Sequence, residues 1–460
     1  MLTFGTDGVR GEFGKELTER YAASLAEVVA QILQCKVVVV GRDTRESGVL
    51  LELAITKALM GRGVEVQLMG VAPTPAIAFA ARQHNVVAIA ITASHNLYQD
   101  NGIKIFGAGG RKLSDDEQQR IEREMSLRDG AAGNVESNMA LGAIVDATTG
   151  AINRAASSTT KSVARPELLQ EYCDWLVASV RHGALENLHI ALDCANGAFS
   201  MLAPEVFSKL GATVTTMNAT PDGRNINLQC GATHPEPLSE VVKSVGAHFG
   251  VAFDGDGDRL IAVDELGRIV DGDHLLAISA LQMKQQGTLR NNKVVVTVMT
   301  NIGFHQAMKG AGIEVVTTPV GDRSVLVALE ENSLSLGGEQ SGHIIYRDFA
   351  TTGDGLFAAI KLAVFVADSK TLLSEIAEQA MTSFPQVLIN LRVAKRVDAI
   401  DQMFKGEIET AQKSLGDSGR VLVRASGTEP MVRVMVESQQ QSTAEKVAAT
   451  LADAISARLG

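Results

Sequence analysis

The chain has 460 residues, 45% of them apolar and only 4% aromatic, and carries a formal net charge of −11 at neutral pH. That length suits about two to four domains, and few aromatics with many aliphatics favour α/β layers over an aromatic-rich β protein. The acidic balance and the lack of a long Lys/Arg run exclude a nucleic-acid scaffold, which needs a basic footprint, but not a small phosphorylated ligand.

Cys35, Cys173, Cys194 and Cys230 are widely spaced with no CxxC pair, which points to a reducing compartment. No apolar stretch reaches membrane-spanning length and no leader pattern opens the chain, so the cytoplasm is the expected location.

Apolar runs alternate with helical-period segments along most of the chain, the mark of α/β layers with mainly parallel pairing. Leu17, Tyr21, Leu25, Val28 and Ile32 outline one helix face. Residues 37–40 read as a strand, Val49, Leu50, Leu53 and Leu59 as a second helix face, and residues 86–91 as a strand delivering Thr92-Ala93-Ser94-His95-Asn96. Residues 147–164 shift to Ala, Thr and Ser, a linker before Pro166 opens the helix with Leu169, Cys173 and Leu176. Strands at 189–192 and 249–253 each end in a polar, glycine-containing loop, and strands at 293–299 and 334–336 repeat the plan.

The tail differs. Strands at 387–393, 420–424 and 431–437 precede a helix in which Ser442 and Glu445 form a capping box ahead of Val447, Leu451 and Ile455. The expected fold is therefore three related α/β mixed-sheet domains, residues 1–150, 151–254 and 255–370, plus a smaller C-terminal α+β domain, residues 371–460, around one central active-site cleft.

Asp254, Asp256 and Asp258 alternate with Gly255 and Gly257 directly after an apolar strand. Carboxylates this crowded repel one another, and a hard cation such as Mg²⁺ relieves the repulsion by taking an oxygen from each. A calcium-binding EF-hand fits less well: Arg259 stands where that loop needs glycine, and strands rather than helices flank it. An acidic solvated turn would not alternate so regularly between two buried strands.

Ser94 is the candidate nucleophile or phosphate carrier, although a Ser-His pair alone equally suits a plain turn. No GxSxG elbow surrounds it. Beside an acidic metal loop, the serine makes sense as a phosphoserine whose charge a cation balances. Near the carboxy terminus, Arg424, Ser426, Gly427, Thr428 and Arg433 supply guanidinium, hydroxyl and backbone donors for a phosphate monoester, where an ordinary hairpin connection would account for Gly427 and Pro430 only. Glu339 and Ser341 offer hydroxyl-recognising groups. No Walker motif occurs, and Gly107-Ala108-Gly109-Gly110 lacks the spacing of a dinucleotide fingerprint.

Taken together and in order, residues 92–96, 254–259, 338–343 and 424–430 resemble the four active-site loops of the α-D-phosphohexomutases, across essentially the whole chain. Within that superfamily, residues 5–11, Asn225-Ile226-Asn227, Val320-Gly321-Asp322-Arg323 and residues 338–343 look most like the bacterial members that act on amino-sugar phosphates. The resemblance implies an isomerase interconverting glucosamine 6-phosphate and glucosamine 1-phosphate through a phosphoserine enzyme and a sugar 1,6-bisphosphate, which is also the activator, and supplying UDP-N-acetylglucosamine and cell-wall precursors. The alternative is a phosphomannomutase or phosphoglucomutase of the same superfamily.

Carried over by position, Ser94 would be the phosphorylated residue and would hold one Mg²⁺ per chain together with Asp254, Asp256 and Asp258. Arg10 and Arg259 would neutralise the phosphoryl group, and Lys104 and His343 would transfer protons. Glu339 and Ser341 would grip sugar hydroxyls, while Arg424, Ser426, Gly427, Thr428 and Arg433 would hold the phosphate that is not transferred. The expected partners are sugar phosphates, with no nucleic acid and no membrane, and a homodimer is carried as the expected assembly.

Overall fold

The computed structural model describes residues 2–5, 8–131, 161–395, 397, 399–425 and 431–459. Most of the linker expected at 147–164 and the loop residues Ser426, Gly427 and Thr428 lie outside the described residues. The chain divides into two compact units, Met1–Val298 with Val316–Ala377, and Met299–Val315 with Glu378–Gly460.

The first sheet has six strands: β1 (Val9–Glu12), β2 (Val37–Arg42), β3 (Glu65–Val71), β4 (Val87–Ile91), β5 (Asp100–Phe106) and β6 (Ser162–Ala164), in the order β1-β5-β4-β2-β3-β6. The second contains β7 (His189–Asp193), β8 (Thr213–Met217), β9 (Phe249–Phe253), β10 (Leu260–Asp264) and β11 (Ile269–Val270), ordered β11-β10-β9-β7-β8. The third contains β12 (Lys293–Thr297), β13 (Glu314–Thr318), β14 (Leu336–Gly338) and β15 (Ile344–Tyr346), ordered β13-β12-β14-β15.

One four-strand pattern recurs in all three sheets: β5-β4-β2-β3, β10-β9-β7-β8 and β15-β14-β12-β13. Each time the third strand in chain order runs parallel to the first and returns through a short loop into an antiparallel fourth. The three expected site loops all occupy that return. Residues of β4 and β9 are buried throughout, which is why these strands read as continuous apolar runs and not as alternating ones. Sheet pairing also crosses two expected divisions: β6 joins the first sheet from beyond residue 150, and the hairpin β9–β10 carries the second sheet past 254–255 to Val270.

Helix Glu19–Ile32 starts where Thr18 accepts the Tyr21 N–H and buries Leu25 and Val28 as expected. Helix Glu46–Gly61 buries Leu59 as expected, but with Leu51 and Ile55 in place of Leu50 and Leu53, which are half-buried, and Val49 is 39% exposed. Apolar residues lie all round this helix, so the periodicity does not single out one side.

Helices Thr74–Gln83, Glu167–Ala178 and Gly355–Ser369 meet at an aromatic knot, with Phe79 5.2 Å and Phe357 5.3 Å from Trp175 between ring centres. Under it, Asp354 caps the last helix by accepting the Phe357 N–H at 2.9 Å, and the Tyr172 hydroxyl donates to its carboxylate at 2.9 Å.

In the second unit, β16 (Gln386–Arg392), β17 (Gly419–Ala425) and β18 (Met431–Ser438) form an antiparallel sheet ordered β16-β18-β17. Its apolar face, with Val423, Val432, Val434 and Val436, packs on Ala444, Leu451 and Ile455 of helix Gln441–Leu459. The expected capping box is not formed there. The helix begins ahead of Ser442, Ala444 N–H donates to the Gln440 carbonyl, and Glu445 accepts from the Gln441 side chain.

Burial pushes the Asp354 carboxyl up to about 6. An acid raised in the fold holds its proton where the unfolded chain has lost it, so its contribution to stability falls as pH rises from about 4 to 6 and stays lost above. Asp354→Asn keeps the acceptor for Phe357 and removes the charge. Relative to wild type, the variant should gain stability across that window, with a full effect on the order of 3 kcal/mol, measured by denaturant unfolding at pH 4, 5, 6 and 7.

Candidate active site

The return from β9 to β10 is the acidic loop. Asp254, Asp256 and Asp258 are 1%, 1% and 3% exposed, and their ligand oxygens lie within 4.8 Å of one another. Two glycines make this possible. Gly257 sits at φ +76°, where a side chain is strained and would strike the Phe199 ring, and a Cβ on Gly255 would stand 2.8 Å from the Ser94 carbonyl oxygen.

Donors come to the three carboxylates from the first sheet and from the loop itself. Asp254 accepts the Ser94 hydroxyl on Oδ2 at 2.6 Å and the Gly257 and Arg259 N–H groups on Oδ1 at 3.1 and 3.2 Å. Lys104, on β5, donates at 2.8 Å to Oδ2 of both Asp256 and Asp258. Thr74 adds its hydroxyl to the same Asp256 oxygen at 2.5 Å. Oδ1 of Asp256 and Oδ1 of Asp258 are buried with no hydrogen-bond partner.

Burial, then the charges of Asp258 and Asp256, push the Asp254 carboxyl well up. Burial also raises Asp258, but Lys104, His343 and Arg259 outweigh it and hold that carboxyl well below the usual range. Two orphaned buried oxygens in an all-oxygen donor set are what a hard divalent cation requires, so the residues fit one. The flanking strands leave no place for EF-hand helices.

Ser94 lies in the return from β4 to β5, 2% exposed and held at φ +52°, a conformation that costs a residue with a side chain on the order of 1 kcal/mol. Arg45, fully buried, holds it there with all five of its N–H groups. Its Nε donates to Asp43 at 2.9 Å, and Nη1 donates to the carbonyls of Leu97 and Asp100. Nη2 donates to those of Ser94 and Asn96, at 3.0 and 2.8 Å. Asn227, from the second α/β layer, donates to the Ser94 and Asn96 carbonyls at 2.8 and 2.9 Å.

His95 Nδ1 stands 3.3 Å from the Ser94 hydroxyl, and burial, with Arg259 and Arg10 nearby, pushes this imidazole down to about 4. Arg10, exposed on β1, donates to Asn96 at 3.3 Å. Arg259 pairs with Asp258 at 3.9 Å.

The return from β14 to β15 carries Glu339, Ser341 and His343. Leu260 N–H donates to the Gly342 carbonyl at 3.0 Å, which joins this loop to the end of the acidic one. Glu339 is half-buried and accepts the Gly321 N–H at 3.1 Å, while Ser341 is exposed. His343 is buried, and its Nε2 accepts the Gly353 N–H at 3.2 Å and lies 3.9 Å from Asp322. Asp322 in turn pairs with Lys112, and Arg323 with Asp115 at 2.5 Å.

In the second unit, Arg424 and Arg433 face each other in register across β17 and β18. Burial, then the charge of Arg433, lowers the Arg424 pKa, and Arg433 Nε is buried without a hydrogen-bond partner. Like charges opposite each other destabilise a sheet unless an anion joins them. Ser426, Gly427 and Thr428 lie in the undescribed return between these strands.

Three contributors were missed in reading the sequence: Thr74, Arg45 and, as a loop clamp, Asn227. An Asp-x-Arg pair straight after a buried strand, Asp43-Thr44-Arg45, is a signal that could have flagged the second. Nothing local marks Thr74.

Family models described as phosphoglucomutase/phosphomannomutase α/β/α domains I, II and III match residues 1–130, 170–267 and 271–384, and the model of the C-terminal domain matches 388–454. A phosphoglucosamine mutase of Frankia alni is 45% identical over 471 residues, spanning 99% of this chain and 98% of the relative. One from Bacillus licheniformis is 43% identical over 463 residues, 99% of each chain. A crystal structure of a phosphoglucomutase/phosphomannomutase family protein from Burkholderia thailandensis shares the fold, with TM-score 0.79 and 22% identity over 98% of this chain and 97% of that one. A buried serine bonded to a carboxylate triad, on three copies of one sheet pattern followed by a small antiparallel domain, thus comes with relatives matched over nearly their whole length: the chain belongs to the phosphoglucomutase/phosphomannomutase family of isomerases, beside its phosphoglucosamine mutases.

Proposed function

We propose that the chain interconverts glucosamine 6-phosphate and glucosamine 1-phosphate, with Ser94 as the phosphoryl carrier. The observation that carries this reading is the bond from the buried Ser94 hydroxyl to Asp254, which sets a hydroxyl of the β4–β5 return able to carry phosphate against the acid triad.

Asp254, Asp256 and Asp258 are the residues that would hold Mg²⁺ with the Ser94 phosphate. When bound, the ion supplies positive charge against which phosphoryl oxygens are stabilised.

The protein's own part follows from its contacts. Arg45 and Asn227 fix the backbone of residues 94–97, so the serine oxygen is presented in one geometry and little reorganisation remains for the transfer. Arg10 and Arg259 offer guanidinium groups to the phosphoryl oxygens. Glu339 and Ser341 orient the sugar through its hydroxyls, and Arg424, Ser426, Gly427, Thr428 and Arg433 take the phosphate that stays on the sugar.

The phosphoryl group passes from the serine oxygen to the free sugar hydroxyl, whose proton leaves through Lys104 or His343. The product of this half-reaction is the 1,6-bisphosphate. Return of its other phosphoryl group to Ser94 completes the exchange. For His343, proton exchange through Nε2 requires release of the Gly353 N–H.

The four free cysteines are in keeping with the cytoplasmic location included in this reading. No helix among the described residues is long and apolar enough to cross a membrane. Assembly as a homodimer belongs to the same proposal, and light scattering on the purified chain tests it.

Ser94→Ala should lower turnover by at least about 10³-fold while thermal stability and calorimetric binding of the sugar phosphate stay near wild type; substantial remaining turnover rules out the serine as carrier. Mass spectrometry after incubation with hexose 1,6-bisphosphate should place one phosphate on Ser94. Initial rates with Mg²⁺ and a trace of that bisphosphate should favour glucosamine 1-phosphate over glucose 1-phosphate and mannose 1-phosphate. A preference for either neutral sugar would reassign the substrate within the superfamily.

A further inference from the structure

We propose that Thr74 is a positioning residue for the metal site, selecting which oxygen of Asp256 is left for the cation. The inference rests on reading the Asp254, Asp256 and Asp258 cluster as a divalent-cation site and adds a residue from outside the acidic loop.

Thr74 is the first residue of helix Thr74–Gln83, 1% exposed and flanked by Pro73 and Pro75. The two prolines pin the backbone on either side. From there Thr74 grips Asp256 at two points: its N–H donates to the Asp256 carbonyl at 2.9 Å, and its hydroxyl donates to Oδ2 at 2.5 Å. The same Oδ2 also accepts from Lys104 at 2.8 Å.

One oxygen of this carboxylate thus carries two donors, while Oδ1 is buried and has no hydrogen-bond partner. A carboxylate held so cannot turn without breaking two bonds, and the oxygen left without a donor is Oδ1. Lys104 alone does not define this. Its ammonium is shared with Asp258 and could follow either carboxylate as it rotates. The Thr74 hydroxyl is anchored to a helix end, and that positive end of the helix dipole further favours the negative charge. Partners of ligating carboxylates fix their orientation, and their loss commonly weakens metal binding about 10- to 100-fold.

A purely structural clasp between helix and loop would make the same bonds, so the test separates the two roles. Thr74→Val keeps the shape and removes the hydroxyl; Thr74→Ser keeps the hydroxyl. Mg²⁺ alone is titrated calorimetrically into metal-free protein, and melting is followed with and without Mg²⁺.

Positioning predicts Mg²⁺ affinity about 10- to 100-fold weaker in Thr74→Val, affinity within about threefold of wild type in Thr74→Ser, and a smaller Mg²⁺-induced rise in melting temperature for the valine variant. Thr74→Ala takes the place of Thr74→Val if the latter does not fold. Wild-type affinity in the hydroxyl-free variant, whatever its metal-free melting temperature, overturns the proposal. Absence of saturable Mg²⁺ binding in the wild type overturns the metal reading itself, a result distinct from equal binding by wild type and variant.

Discussion

Three carboxylates buried within 4.8 Å of one another cannot stay ionised unless positive charge and hydrogen-bond donors are brought to them. The acidic loop of the second sheet does not supply enough of its own: the loop N–H groups reach only Asp254. Arg259 in the loop and His343 from the third sheet add positive charge, and further hydrogen-bond donors come from the first sheet and its helix, through Ser94, Lys104 and Thr74. The electrostatic demand of one loop thereby holds two α/β layers together, and the same contacts place the Ser94 oxygen against the triad.

The recurring sheet pattern explains how the loops come to be comparable. In each α/β layer the chain turns from a buried parallel strand into an antiparallel return, and that turn carries the serine, the acids or the Glu339–His343 segment. A loop at the carboxyl end of a buried strand is anchored on both sides by the sheet yet free to carry polar groups, the usual place for ligands in open α/β sheets. Bonds between loops then remove the remaining freedom, as with Leu260 and Gly342 or Asn227 and Ser94.

Arg45 illustrates how a charge can be buried usefully. Every donor of its guanidinium is spent, one on Asp43 and four on carbonyls of residues 94–100. Three of those carbonyls, of Ser94, Asn96 and Leu97, lie in a turn that includes Ser94 at positive φ and so have no place in a strand ladder. The pair of Arg424 and Arg433 is the opposite case, two like charges placed across from each other on β17 and β18.

Much of this was legible in the residues. The Asp-Gly alternation after an apolar run marked a buried acidic cluster able to hold a cation, since glycine lets such a loop close, and the continuous apolar strands marked buried α/β sheets with polar loops at their ends. The boundaries of sheets were less legible, since β6 and the β9–β10 hairpin obey pairing and not composition. The face of helix Glu46–Gly61 was hidden by its uniform apolarity, and the Ser442 box gave way to a helix start two residues earlier.

What the sequence by itself determined is which groups are candidates for the chemistry: Ser94, the three aspartates, Glu339 and the arginines. What only the tertiary structure decided is which donors meet them. Thr74 lies 182 residues from Asp256, Lys104 154 from Asp258 and Asn227 133 from Ser94. Local pattern reports burial and turn geometry, whereas the choice of partner for a buried carboxylate or carbonyl is settled only when separate layers pack and each polar group must find a donor or stay unpaired.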